Sequence, residues 1–160
     1  MSNLIWSVKR FDQLSADDFH DIIKLRVDVF IVEQNCPYSE VDDLDRTSLH
    51  VQGILGDELV AYARIIPSNV TDPHVHIGRV IVKKNIRGSG VGHQLMSQIM
   101  LAVIDRYPDS DVELAAQSQL TDYYAKHGFK IIGEEYPWDG IPHKDMLLRR
   151  GTENDHKRNL

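Results

Sequence analysis

Ile77-Gly78-Arg79-Val80-Ile81-Val82-Lys83-Lys84-Asn85-Ile86-Arg87-Gly88-Ser89-Gly90-Val91-Gly92-His93-Gln94-Leu95-Met96 carries an apolar strand into a glycine-rich turn that opens a helix. Three alternate glycines let backbone approach a ligand without Cβ clashes. The first N–H groups of the following helix have no partner within it and can point at phosphate oxygens. Arg87 adds a permanent positive charge, so the stretch reads as an anion cradle.

The details around the turn separate three phosphate-binding schemes. A P-loop requires Gly-Lys-Ser/Thr, but His93 and Gln94 follow the last glycine. A dinucleotide fingerprint requires Gly-x-Gly-x-x-Gly and an acid ending the next strand. Here the spacing is Gly-x-Gly-x-Gly, and Asp109 and Asp111 precede the next strand. Arg-x-x-Gly-x-Gly does fit, as Arg87-Gly88-Ser89-Gly90-Val91-Gly92. This resembles the acetyl-coenzyme A pyrophosphate loop of the GNAT acetyltransferases.

Outward from the turn, hydrophobic periodicity organises the chain. Leu4 to Lys9 reads as a first strand, and Ser15-Ala16-Asp17-Asp18 caps a helix on which Phe19, Ile22, Ile23, Val27 and Phe30 share a face. Its β-branched end (Val27, Val29, Ile31, Val32) favours a bend before Pro37. Asn35 to Arg46 reads as a solvated acidic loop whose negative potential would attract a cationic amine. Ser48–Leu55 and Leu59–Ile66 form a hairpin, and His74–Lys83 a further strand. The helix Gly90–Tyr107 has an apolar stripe of Leu95, Met96, Ile99, Met100, Val103 and Ile104. Val112–Ala116 is a strand, Leu120–His127 a short helix ended by Gly128, and Lys130–Tyr136 and Met146–Arg149 two last strands. The order β–α–β–β–β–α–β–α–β–β is mixed α/β with one parallel crossover.

That order also resembles the GNAT fold: a mixed, mostly antiparallel sheet with a central parallel strand pair splayed for coenzyme A, flanked by helices. A second motif strengthens the resemblance, because Tyr123-Tyr124-Ala125-Lys126-His127-Gly128-Phe129 is similar to the family's Tyr-x-Lys-x-Gly-Phe segment. Leu25 to Tyr38 and Gly140-Ile141-Pro142-His143 resemble the ElaA-type subgroup. The expected organisation is a single domain over residues 1–150 and a polar, disordered tail over 151–160.

The resemblance implies acetyl-coenzyme A as cosubstrate. Arg87, Gly88, Ser89, Gly90, Val91 and Gly92 would hold its pyrophosphate, and Val80, Ile81 and Val82 would offer a strand edge to the pantetheine amides. Acetyl transfer to an amine also needs the departing thiolate stabilised or protonated. A tyrosine suits this, being protonated at neutral pH yet able to donate as charge develops. Tyr124 matches the motif's tyrosine, while Tyr123 is the better candidate for packing.

Glu33, His50 and His143 are alternatives for a base, and bulk water is a fourth. Glu33 reads more simply as a solvated helix end and His50 as a hydrogen-bonded strand histidine. His143 is the acceptor-site candidate. Cys36 as an acetylated nucleophile is disfavoured, since no adjacent base or helix N-terminus lowers its pKa. His74 and His76 share a strand face, but no Cys or carboxylate pair completes a metal set, so no metal is expected.

Composition bounds these expectations. The 160 residues, 42% hydrophobic, suffice for one substantial core. A net charge of −6 argues against an extended nucleic-acid face. One cysteine, no apolar leader near Met1 and no run approaching the roughly 20 residues of a membrane span point to a cytoplasmic protein. The family implies a small-molecule or peptide amine acceptor and is compatible with a homodimer. A non-catalytic acyl-coenzyme A sensor is the alternative function.

Overall fold

A computed structural model describes residues 3–150, so the expected disordered tail lies outside the described residues. Seven strands form one sheet: β1 (Leu4–Arg10), β2 (Leu49–Leu55), β3 (Glu58–Ile66), β4 (Val75–Val82), β5 (Val112–Gln117), β6 (Lys130–Trp138) and β7 (Ile141–Leu148). The spatial order is β1-β2-β3-β4-β5-β7-β6. Among the described residues, only β4 and β5 pair in parallel. No described helix is long and apolar enough to cross a membrane.

Two helices cover opposite faces of the sheet because β3 is apolar on both sides. Ala61, Ala63 and Ile65 pack against α2 (Val91–Arg106), which buries Val91, Leu95, Met96, Ile99, Ala102 and Val103. Tyr62, one position out of phase, faces Ile22 and Leu25 of α1 (Ala16–Arg26). Ile104, expected in the buried stripe of α2, is instead exposed, and Ala102 occupies the core-facing position.

Helix α1 begins with a reciprocal cap. Asp18 N–H donates to Ser15 Oγ at 2.9 Å, and Ser15 N–H donates to Asp18 Oδ2 at 3.0 Å. At Val27 the helix widens into π-type turns through Glu33, within the β-branched run that disfavours regular α-helix.

The last two strands are longer than the sequence suggests. Asp139 and Gly140 both have positive φ (51° and 78°) and close a two-residue hairpin that pairs Trp138 with Ile141. The extension sets His143 opposite both Tyr136 on β6 and Gln117 at the end of β5. Between β5 and β6, α3 (Thr121–Ala125) carries Tyr123 and Tyr124 and ends before Gly128, whose φ is 93°.

Candidate active site

Parallel pairing of β4 with β5 stops after Val75↔Val112, His76↔Glu113 and Ile77↔Leu114. Beyond it the strands diverge, so the edge of β4 that faced β5 has no strand partner among the described residues. A register shift between Tyr62 and Arg64 against β4 coincides with Arg79 in the left-handed region (φ 52°), a bulge that re-aims the strand where the divergence begins.

The divergence opens a groove of about 450 Å³. Val80, Ile81, Val82, Arg87, Gly88 and Gly92 line one side. Gln117, Leu120, Tyr123 and Tyr124 line another, and Val29, Phe30, Glu33 and Gln34 of the π-type segment complete it. At one end, Gly88 (φ 85°) and Gly90 (φ 88°) hold the turn in a conformation side chains rarely adopt. Gly90 N-caps α2 without a side-chain hydrogen bond, which leaves the first-turn N–H groups free of a capping side chain. Ser89 Oγ–H donates to Ile86 O at 2.5 Å, and Val91 is fully buried; these two shape the turn while Gly88 and Gly92 face the groove.

Arg87 is tightly held. Its Nε–H donates to Val82 O at 2.8 Å, and its Nη1 and Nη2 fork onto the Glu33 carboxylate at 2.7 and 3.2 Å. Glu33 is therefore the counter-ion of the cradle's cation. That pair engages both carboxylate oxygens and disfavours Glu33 as a base.

A second cavity of about 320 Å³ adjoins the groove and shares Phe30, Gln34, Val80, Gln117, Leu120 and Tyr124 with it. Tyr124 is 6% exposed and stands in the wall between the two. Burial, with the neighbouring Tyr123 second, pushes its hydroxyl well above the usual tyrosine value. Tyr123 does more than pack: its O–H donates to Gly92 O at 2.5 Å, tying α3 to the start of α2.

His143 lines the second cavity, with its ring 6.2 Å from Tyr136 and 5.4 Å from Trp138. Its Nδ1–H donates to Ile141 O at 2.7 Å, so the neutral ring keeps a lone pair on Nε2.

The other sequence candidates lie elsewhere. His50 is fully buried with both nitrogens engaged, by Tyr62 O–H at 2.6 Å and by Asp45 O at 2.8 Å. Burial lowers its pKa, and it lines neither cavity. Cys36 is buried, with its S–H directed at Asp139 O at 3.3 Å, and also lines neither. Carboxylates do reach the histidine pair, Glu113 at His74 (3.1 Å) and Asp72 at His76 (2.6 Å). Among the described residues no such cluster is arranged to hold a metal ion.

The acidic loop is only partly solvated: Asp43 is exposed, but two of its carboxylates are not. Glu40 and Asp45 are 4% and 2% exposed. Arg26 joins them at 2.6 and 2.7 Å, Arg79 meets Glu40 at 2.6 Å, and Arg64 bridges Asp45 and Asp42 at 3.0 and 2.7 Å. Alternation and spacing carry no trace of this network, since its six members come from α1, the loop, β3 and β4. Phe30, Gln34, Gln117 and Leu120 also line the cavities, although the sequence marks Phe30 and Leu120 only as helix residues and does not mark the two glutamines as site residues. Polar Gln117 ending an apolar strand was the only available signal.

Residues 24–150 match the family model described as the Acetyltransferase (GNAT) domain. Protein ElaA of Escherichia coli is 43% identical over 143 residues, covering 88% of this chain and 94% of ElaA. A UPF0039 protein of Synechocystis sp. is 39% identical over 145 residues, covering 90% and 94%. Among solved structures, Escherichia coli ElaA superposes with a TM-score of 0.87 at 41% identity, covering 91% of this chain and 99% of that one. An acyl-CoA N-acyltransferase from Pseudomonas aeruginosa gives 0.87 at 37% identity, with the same coverage.

Proposed function

The chain belongs to the GNAT acetyltransferase family, whose fold carries acyl transfer from coenzyme A, and on that premise we propose that it moves an acetyl group from acetyl-coenzyme A directly to a primary amine. The observation that carries the reading is the position of Tyr124. It stands in the wall shared by a groove with an anion cradle at one end and a second cavity suited to an acceptor.

The residues present fit the cosubstrate. The left-handed glycines and the start of α2 suit a diphosphate, and the unpaired edge of β4 suits amides that add as a strand would. Acetyl-coenzyme A supplies an activated acyl group and a thiol leaving group. On the protein's side, backbone N–H groups along Val80–Val82 polarise the acyl carbonyl. Tyr124 donates its hydroxyl proton where thiolate charge develops, and His143 Nε2 accepts a proton from the acceptor amine directly or through water. A cytoplasmic setting belongs to the same proposal.

Titration calorimetry with coenzyme A, followed by an assay of free thiol release from acetyl-coenzyme A in the presence of amines, tests this. Micromolar binding and amine-dependent release are expected. A folded sample that binds no coenzyme A overturns the proposal.

Glu33 has a separate consequence. Its carboxylate and a diphosphate compete for the same face of Arg87, so Glu33→Gln is expected to tighten coenzyme A binding. The pair is partly exposed, with side chains 39% and 31% accessible. Such pairs contribute at most ~1 kcal/mol, so the gain is about twofold to fivefold, shrinking as salt rises. An unchanged or weaker affinity sinks the competition.

A further inference from the structure

The second cavity also constrains the acceptor, an inference that rests on the acyl-transfer reading above. Its charged lining consists of Asp42, Arg64 and Arg79, each already paired with an opposite charge; His76 also lines it and is paired with Asp72 at 2.6 Å. Arg64 forks onto Asp42 at 2.7 and 2.9 Å, Arg79 binds Glu40, and Arg26 closes the array through Glu40 and Asp45. Three guanidinium groups thus face three carboxylates, and the formal sum is zero.

A polyamine needs an uncompensated carboxylate, and an amino acid's carboxylate needs an uncompensated guanidinium. Both would have to break this network. The remainder of the cavity is largely apolar. Phe30, Ile66 and Ile141 line it, while Leu44, Leu120 and Trp138 also contribute despite being 45%, 40% and 49% exposed. Exposed apolar side chains gathered at one cavity mark a ligand-binding rim. At about 320 Å³ the cavity suits a small molecule.

We propose that the acceptor is a small primary amine carried on an aromatic body, an arylalkylamine with no second charge. Its ring meets the apolar walls beside Trp138, and its amine is directed toward Tyr124 and His143. Desolvation in such a cavity disfavours the ammonium form, which helps deliver the amine as a neutral nucleophile. Attack by the amine nitrogen forms the amide C–N bond and breaks the thioester C–S bond. The amine's surplus proton leaves to His143 or water, and the thiolate takes its proton from Tyr124.

The test compares phenethylamine, spermidine, glutamate and a free-amine tetrapeptide in the thiol-release assay. Coenzyme A affinity is measured by calorimetry on every sample. The expected result is a kcat/KM for phenethylamine at least tenfold above the others. Trp138→Ala is expected to lower it about tenfold, mainly through KM, with coenzyme A affinity unchanged, and Trp138→Phe to restore most of it. Equal or better turnover of spermidine, glutamate or the peptide overturns the proposal. So does a Trp138→Ala effect that is the same for every acceptor, or no turnover of phenethylamine. These failures leave the acyl-transfer reading standing if coenzyme A still binds. Absence of coenzyme A binding overturns both.

Discussion

Tyr124→Phe is expected to cut acetyl transfer by about 10²-fold or more, within the ~10²–10⁴ typical of losing a positioned general acid. The substitution keeps the ring that packs edge-on against Tyr123 at 4.8 Å and Phe129 at 6.4 Å. Coenzyme A affinity and the urea midpoint of unfolding should therefore stay at wild-type values. Full activity in this variant would remove Tyr124 from the mechanism; lost activity with intact binding excludes a sensor without turnover.

The pH profile supplies a second readout. An acid must remain protonated to act, and burial raises this hydroxyl above its ordinary value of 10.0. The rate is thus expected to climb as the acceptor amine deprotonates and to show no decline as pH passes through about 10, where an unperturbed tyrosine would ionise. A fall there means that the titrating acid is a different group.

The largest effect on stability is expected at Arg26, which is fully buried and holds Glu40 and Asp45 together. Removing one partner of a buried ion pair costs ~3–5 kcal/mol, because a charge is left desolvated without compensation. Glu40 retains Arg79 and Asp45 retains Arg64, so the low end, about 3 kcal/mol, is expected for Arg26→Met. At roughly 2–4 °C per kcal/mol for a chain of this size, Tm should fall by about 6–12 °C.

Arg26→Lys should recover little, since an ammonium cannot fork between two carboxylates as a guanidinium does. A thermal melt in which Arg26→Met stays within about 2 °C of wild type would show that the array is not a stabilising unit. Asp45 Oδ2 and Arg64 Nε are buried without partners among the described residues, so the array already carries unsatisfied groups with little slack for another. Hydrogen bonding from Arg64 holds the Asp42 carboxyl below its ordinary 3.8. Its contribution is complete above that value and is lost as pH falls through the lower folded-state value.

The readable parts of the chain were those in which chemistry is local. Left-handed glycines at positions 88 and 90, a helix opening without a capping side chain, and apolar periods of two and 3.6 are properties of short segments. They specify the order of elements along the chain and its one parallel crossover, and they place a glycine turn at the start of α2. Glu40 and Asp45 carry no mark of burial in the sequence, because carboxylates in a polar stretch look the same whether water or arginine surrounds them. Glu33 reads as a solvated helix end in the sequence, but the fold brings Arg87 to it across a separation of 54 residues.

Local chain preferences are thus sufficient to specify most of the elements, their order along the chain and the glycine-rich turn that opens α2. Where β4 and β5 part, which cation each buried acid meets, and how the β6–β7 hairpin delivers His143 beside the end of β5 depend on packing between distant segments. Burial and ion pairing are energies of contact, and contacts between residues far apart in the chain exist only once the sheet has closed.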